Sequence, residues 1–174
     1  ILPPKDQISR AAKMLADDSV TDYVDMELFG ITVNENDVKM VVGRTTGANK
    51  VSRSYLAKLV MSADGAKLNG RSPTGGTKDR LRAVISLNGG DFLAVGTSDG
   101  AGPHKQGAIV RFDADTNNKW LRTVGPKTAE SLLDVVDLGD GTVVAVGQAV
   151  DQTTLVKRPY LVRIDTAKGD VVCP

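Results

Sequence analysis

The sequence predicts an all-β fold, a β-propeller segment of about three four-stranded blades with a ~52-residue repeat and a short N-terminal helix. Two observations carry the prediction. Short apolar runs rich in β-branched residues alternate with Gly, Asn and Asp turns, the signature of antiparallel meanders. Three landmarks also keep one period. A second-strand Val-Gly recurs at Val42-Gly43, Val95-Gly96 and Val146-Gly147, spaced by 53 and 51 residues. The third-strand runs Tyr55–Leu59, Ala108–Phe112 and Tyr160–Ile164 are spaced by 53 and 52. The turn before strand two recurs at Asn36-Asp37, Gly89-Gly90-Asp91 and Gly139-Asp140-Gly141.

Residues 1–22 read as a lead-in outside the repeat. Pro3-Pro4 is extended, Asp6 is an N-cap, and Ile8, Ala11, Ala12, Met14 and Leu15 follow helical spacing. The repeat region is 23–174, with blades at about 23–78, 79–128 and 129–174. The first blade has strands near Glu27–Val33, Val38–Val42 and Ser54–Val60, and a weak fourth near Ala66–Asn69. The middle blade is the clearest: Leu81–Leu87, Phe92–Gly96, Ala108–Phe112 and Lys119–Val124. The last has Leu132–Leu138, Thr142–Val146 and Tyr160–Ile164, and its fourth strand is truncated at Val171–Pro174. The glycine closing each second strand is expected where backbones approach closely near the axis.

Propellers close with about four to eight blades, so three leave open sheet edges that must meet something else. Partners are expected to be protein, either other copies or the remaining blades of a longer chain. Gly90–Gly96, Ala108–Asp115 and Trp120 resemble the bacterial surface β-propeller repeats (SBBP type) and, more loosely, kelch propellers. That resemblance implies architecture and a cell-surface or extracellular setting; one fold hosts many functions.

Charge is balanced, 22 basic against 21 acidic residues, so no bulk attraction to nucleic acid follows. No apolar run approaches the ~20 residues that span a bilayer. The lone Cys173 makes no internal disulfide and reads as a free thiol or an intermolecular partner. His104, the single histidine, sits in a Gly/Pro-rich loop without a marked nucleophile, and one histidine excludes a multi-histidine metal site.

Asp113-x-Asp115-x-Asn117 in the third-to-fourth turn has two readings. Its alternating oxygens resemble the start of a calcium loop, although Asn118 and Val124 stand where glycine and an acid belong. It also resembles the Asp-box hairpin of sialidase-type propellers, a structural staple, and Asp and Asn favour such turns in any case.

Sorting loops by blade face separates the charge. One face gathers Lys50, Arg53, Lys78, Arg80, Lys105, Lys127, Lys157 and Arg158 against Asp79, Asp99, Glu130 and Asp151. The other gathers turn acids, among them Asp37, Asp91, Asp113, Asp140 and Asp165. The expected function is a non-enzymatic structural or adhesive module. Its contact residues are Lys50, Arg53, His104, Lys105, Lys157 and Arg158, and its partner is acidic, another copy or an anionic polysaccharide. The alternatives are a fragment of a glycan-processing propeller enzyme and an intracellular kelch-like adaptor.

Overall fold

The computed structural model describes residues 23–62, 65–74, 76–100, 105–125, 129–151 and 153–172. The expected N-terminal helix and Cys173 lie outside them. Eleven strands form three antiparallel sheets. The first holds β1 (Tyr23–Val33), β2 (Lys39–Gly47), β3 (Ser52–Ser62) and β4 (Gly65–Arg71) in chain order. The middle sheet holds β5 (Arg80–Ser86), β6 (Phe92–Ser98), β7 (Gln106–Phe112) and β8 (Asn118–Val124). The last holds β9 (Ala129–Asp137), β10 (Thr142–Val150) and β11 (Lys157–Asp165). Beyond β11, Val171 forms a single bridge to Ile164, and Val172 N donates to Arg163 O at 2.8 Å. Each expected strand overlaps an observed one; Val38, Leu87 and Leu138 fall just outside, and most observed strands run longer.

The sheets stack face to face. Every residue of β6 is buried, because its alternate side chains face two different neighbours. Phe92 and Ala94 pack with Val110, Phe112 and Leu81 against Met40, Val42 and Leu56 of the first sheet. Phe92 and Phe112 are stacked with ring centroids 5.7 Å apart. Leu93, Val95 and Ile109 pack the other way, against Leu132, Val143, Ala145, Val162 and Ile164 of the last sheet. The opening strands of neighbouring sheets also approach closely: a Cβ on Gly30 of β1 would lie 3.3 Å from the Ala83 Cα of β5.

Backbone bonds between the sheets add direction to this stacking. Ser52 N donates to Thr77 O and Asp79 N to Ser52 O, each at 3.0 Å. One junction further on, Glu130 N donates to Lys105 O at 3.1 Å. The outer strands fasten the opposite end. Arg71 donates to Thr116 O, and Arg122 donates to Lys168 O at 3.2 Å. Trp120 Nε1 and Arg111 both donate to Thr166 O, at 3.1 and 2.7 Å.

The Val-Gly landmark has a local cause in all three sheets. Gly43 pairs with Leu28, Gly96 with Leu81 and Gly147 with Leu132, each beside a bulge in that sheet's pairing. A Cβ at these glycines would lie 1.9, 2.0 and 1.9 Å from the carbonyl oxygens of Glu27, Arg80 and Ser131. The close approach expected from the sequence is therefore made to each glycine's own sheet, where a bulged strand folds its carbonyl across the ladder.

Gly96→Ala is accordingly expected to cost about 2–4 kcal/mol, since backbone on both sides must move. Gly139→Ala meets open space and is strained only by its φ of +75°, a cost of about 1–2 kcal/mol. Urea unfolding of the two variants measures the difference.

Candidate binding face

The antiparallel meanders bring the β2–β3, β6–β7 and β10–β11 connections, together with the links between sheets, to one end of the stack. Lys50 sits there in a left-handed conformation (φ +62°). Asn49 Oδ1 accepts from Val51 N at 3.0 Å and Lys50 N donates to Gly47 O at 2.9 Å, so the turn holds the lysine outward. Arg53 follows on β3, paired with Thr45 and exposed. Lys157 and Arg158 open β11 and are exposed opposite Val150 and Ala149. Their loop is set by Asp151, whose Oδ1 accepts from Thr153 N and Thr154 N at 2.8 and 2.9 Å. Lys105 is half-buried, with its carbonyl taken by Glu130. His104 and Lys127 lie outside the described residues.

Two of the acids at this end are withdrawn from the surface. Asp79 is 1% exposed and Glu130 is also 1% exposed. The Asp79 carboxylate accepts from Thr74 Oγ1, from Gly76 N at 2.8 Å and from Asp99 N at 2.9 Å. Asp99 accepts from Thr77 N at 2.7 Å, Thr77 Oγ1 at 3.0 Å and Lys78 N at 3.2 Å. These acceptors hold Thr74 and Gly76 to Lys78 in place, a structural task. Desolvation pushes the Asp99 carboxyl up, but the Thr77 and Lys78 donors outweigh it and leave it below 3.8, its ordinary value.

Among the described residues, none of Lys50, Arg53, Lys78, Lys105, Lys157 and Arg158 has a carboxylate within ion-pair distance. At the opposite end several turn acids are matched. Asp91 is salt-bridged to Arg111 at 2.6 Å and to Lys119 at 2.8 Å. Asp140 meets Arg163 at 2.6 Å, and Asp37 meets Lys39 at 2.7 Å. Among the described residues the separation of charge is thus uneven: the bases of one end lack ion pairs, whereas Asp37, Asp91, Asp115 and Asp140 of the other are paired.

An inner-strand basic cluster adjoins the cationic end; the sequence had placed Arg80 there but not Arg44 or Arg82. Arg44 holds Glu27 in a two-pronged pair at 2.9 and 2.8 Å, and Arg82 lies 4.5 Å over the Phe29 ring. Burial, and then the charges of Arg82 and Arg44, hold the Arg80 guanidinium below its usual range. Phe29, Arg82 and Leu133 occupy the bulge of each opening strand. Their spacing by 53 and 51 residues was the signal available beforehand.

The proposed calcium residues stand at the other end, in the β7–β8 turn. Asp113 Oδ1 accepts from Asp115 N and Asn117 N at 2.9 and 2.8 Å, and Oδ2 accepts from the Asn117 side-chain amide at 3.1 Å. Asp115 is exposed, 3.6 Å from Lys58. The Asp113 oxygens are thus engaged within the turn. Among the described residues no group of three or more His, Cys, Asp or Glu is placed to hold a metal. A pocket of about 60 Å³ lined by Leu87, Arg111, Asp137 and Thr166 lies at this end, well under the ~300–1,000 Å³ of a typical small-molecule site.

No helix among the described residues is long and apolar enough to cross a membrane. A scan against protein-family models finds no match, and a search of curated proteins finds no significant one.

Asp99→Asn is expected to cost about 1–3 kcal/mol at neutral pH, the worth of charge-assisted hydrogen bonds to a partly buried group. Because the folded-state pKa is depressed, the contribution is full above the ordinary value and lost as pH falls through the folded one. The gap between wild type and variant therefore narrows between about pH 5 and pH 2 in thermal unfolding.

Proposed function

We propose that this chain is an arc of a β-propeller acting as a non-enzymatic structural or adhesive module, extracellular or at a cell surface. It engages an acidic partner, an anionic polysaccharide in the first instance, through its cationic end. One observation carries the reading: Lys50, Arg53, Lys78, Lys105, Lys157 and Arg158 share that end without ion-pair partners among the described residues, while Asp79 and Glu130 there are buried. Such a surface attracts polyanions over a Debye length and binds them through many weak contacts. The propeller assignment draws on the face-to-face stacking of three meanders, the close approach of their opening strands and the ~52-residue period. The buried Asp79 carboxylate at the cationic end accepts from main-chain amides, a structural use that favours binding over catalysis there.

Retention on an immobilised sulfated polysaccharide tests the proposal. Wild type is expected to bind at about 0.05 M salt and elute well before about 0.5 M, as screening dictates. The combined changes Lys50→Glu, Arg53→Glu, Lys157→Glu and Arg158→Glu alter exposed residues only, so folding is retained and elution moves to the lowest salt. Binding that is insensitive to salt, or unaffected by the four reversals, overturns the reading.

A further inference from the structure

The chain carries two Asn-Gly pairs, Asn69-Gly70 and Asn88-Gly89. In such a pair the glycine nitrogen can reach the preceding side-chain amide most readily, because no Cβ obstructs it and its backbone turns easily. The two pairs are held very differently. Asn69 and Gly70 lie within β4, paired with Lys58 and Ala57. A Cβ on Gly70 would lie 2.6 Å from Ala57 Cβ, Leu56 O and the Tyr55 ring, so the backbone there has no room to rotate. Asn88 and Gly89 are both exposed in the β5–β6 turn, and nothing lies within 4 Å of a Cβ built on Gly89. The turn closes around them: Leu87 N donates to Asp91 O at 2.8 Å and Gly90 N to Leu87 O at 3.3 Å. Among the described residues, neither Gly89 N nor the Asn88 side chain has a hydrogen-bond partner.

We propose that Asn88 is a site of slow covalent modification, at which water replaces the side-chain amide. Gly89 N gives its proton to solvent base and attacks Asn88 Cγ. The new N–Cγ bond forms as the Cγ–Nδ2 bond breaks, and Nδ2 leaves as ammonia. Water then opens the cyclic imide. Cleavage between the ring nitrogen and Cγ gives aspartate; cleavage between that nitrogen and the main-chain carbonyl carbon gives isoaspartate. One water is consumed and one ammonia released, with nothing oxidised or reduced. The place in the fold gives the change a consequence. Asn34 of the β1–β2 turn donates through its side-chain amide to Gly90 O at 3.0 Å, a tie between the first and middle sheets. On the other side Asn88 lines the small pocket that Arg111, Asp137 and Thr166 also line. Isoaspartate adds a main-chain carbon just ahead of Gly90 and so displaces the carbonyl that Asn34 holds. The inference is independent of polysaccharide binding, which uses the other end of the stack.

Ageing the full chain at mildly alkaline pH, then digesting it and separating the asparagine, aspartate and isoaspartate peptides by mass spectrometry, tests it. Asn88 is expected to convert about a hundredfold or more faster than Asn69, since a strand interior reacts only from rare opened states. In concentrated urea the two sites are expected to convert at comparable rates, which assigns the difference to the fold. Aged protein is expected to melt about 2–4 °C lower, the loss of roughly one hydrogen bond. Asn88→Gln, whose longer side chain closes a larger ring far more slowly, is expected to keep its melting temperature through the same treatment. Persistence of Asn88 in the folded chain while it converts in urea overturns the proposal. So does conversion of Asn69 as fast as Asn88 in the folded chain, or an equal loss of melting temperature in aged Asn88→Gln.

Discussion

The structure depends on a strand with no surface of its own. β6 runs from Phe92 to Ser98 with every residue buried, and it satisfies two neighbours by alternation: Phe92 and Ala94 one way, Leu93 and Val95 the other. A sheet buried on both faces cannot slip by one residue without exchanging these two sets, so register is fixed from both sides. The last sheet meets that demand on one face only, leaving Val136, Val146 and Leu161 exposed, whereas the central strands of the first sheet are buried on both.

Packing alone would let the sheets slide on one another; polar ties resist that. The Ser52–Asp79 and Lys105–Glu130 backbone bonds fasten one end, and the arginine and tryptophan contacts to the Thr116, Thr166 and Lys168 carbonyls fasten the other. Burying Asp79 is tolerable because hydroxyl and amide donors meet its carboxylate, replacing the water it gives up. The same arrangement has an electrostatic result. With Asp79 drawn inward as a structural acceptor, the exposed bases of that end lose one counter-charge, so the cationic surface is in part a by-product of how the sheets are joined.

Much of this was legible in the residues. Eleven strands, their meander order and their boundaries to within a few residues followed from apolar runs and turn chemistry, because both signals are local. The Val-Gly landmark was legible too, but its cause was not. That Gly96 must admit the Arg80 carbonyl depends on a bulge between Leu81 and Ala83, and a bulge leaves no mark in hydrophobic pattern. The candidate face was half visible. Lys50, Arg53, Lys157 and Arg158 were placed together by topology alone, whereas the fate of Asp79 and Glu130 required knowing what surrounds them. The acidic end misled for a related reason. Its aspartates were counted as free charge, yet Asp91 and Asp140 meet Arg111 and Arg163 on strands that alternation places at the same edge. His104 and the leading segment fall outside the described residues, so neither bears on these comparisons.

The clasps made by Arg71 and Arg122 reach main-chain oxygens, and no side-chain identity in the receiving turn enters into them. Such a turn can drift in composition where its peptide path holds, Gly169 excepted, since an added Cβ there would lie 2.9 Å from Arg122 Cγ. A module of this type, once copied within a gene, would arrive with its own coupling already compatible with whatever stands next in line. Lengthening the array would then demand little co-adaptation between old and new segments, and divergence could proceed turn by turn while the joints remained closed.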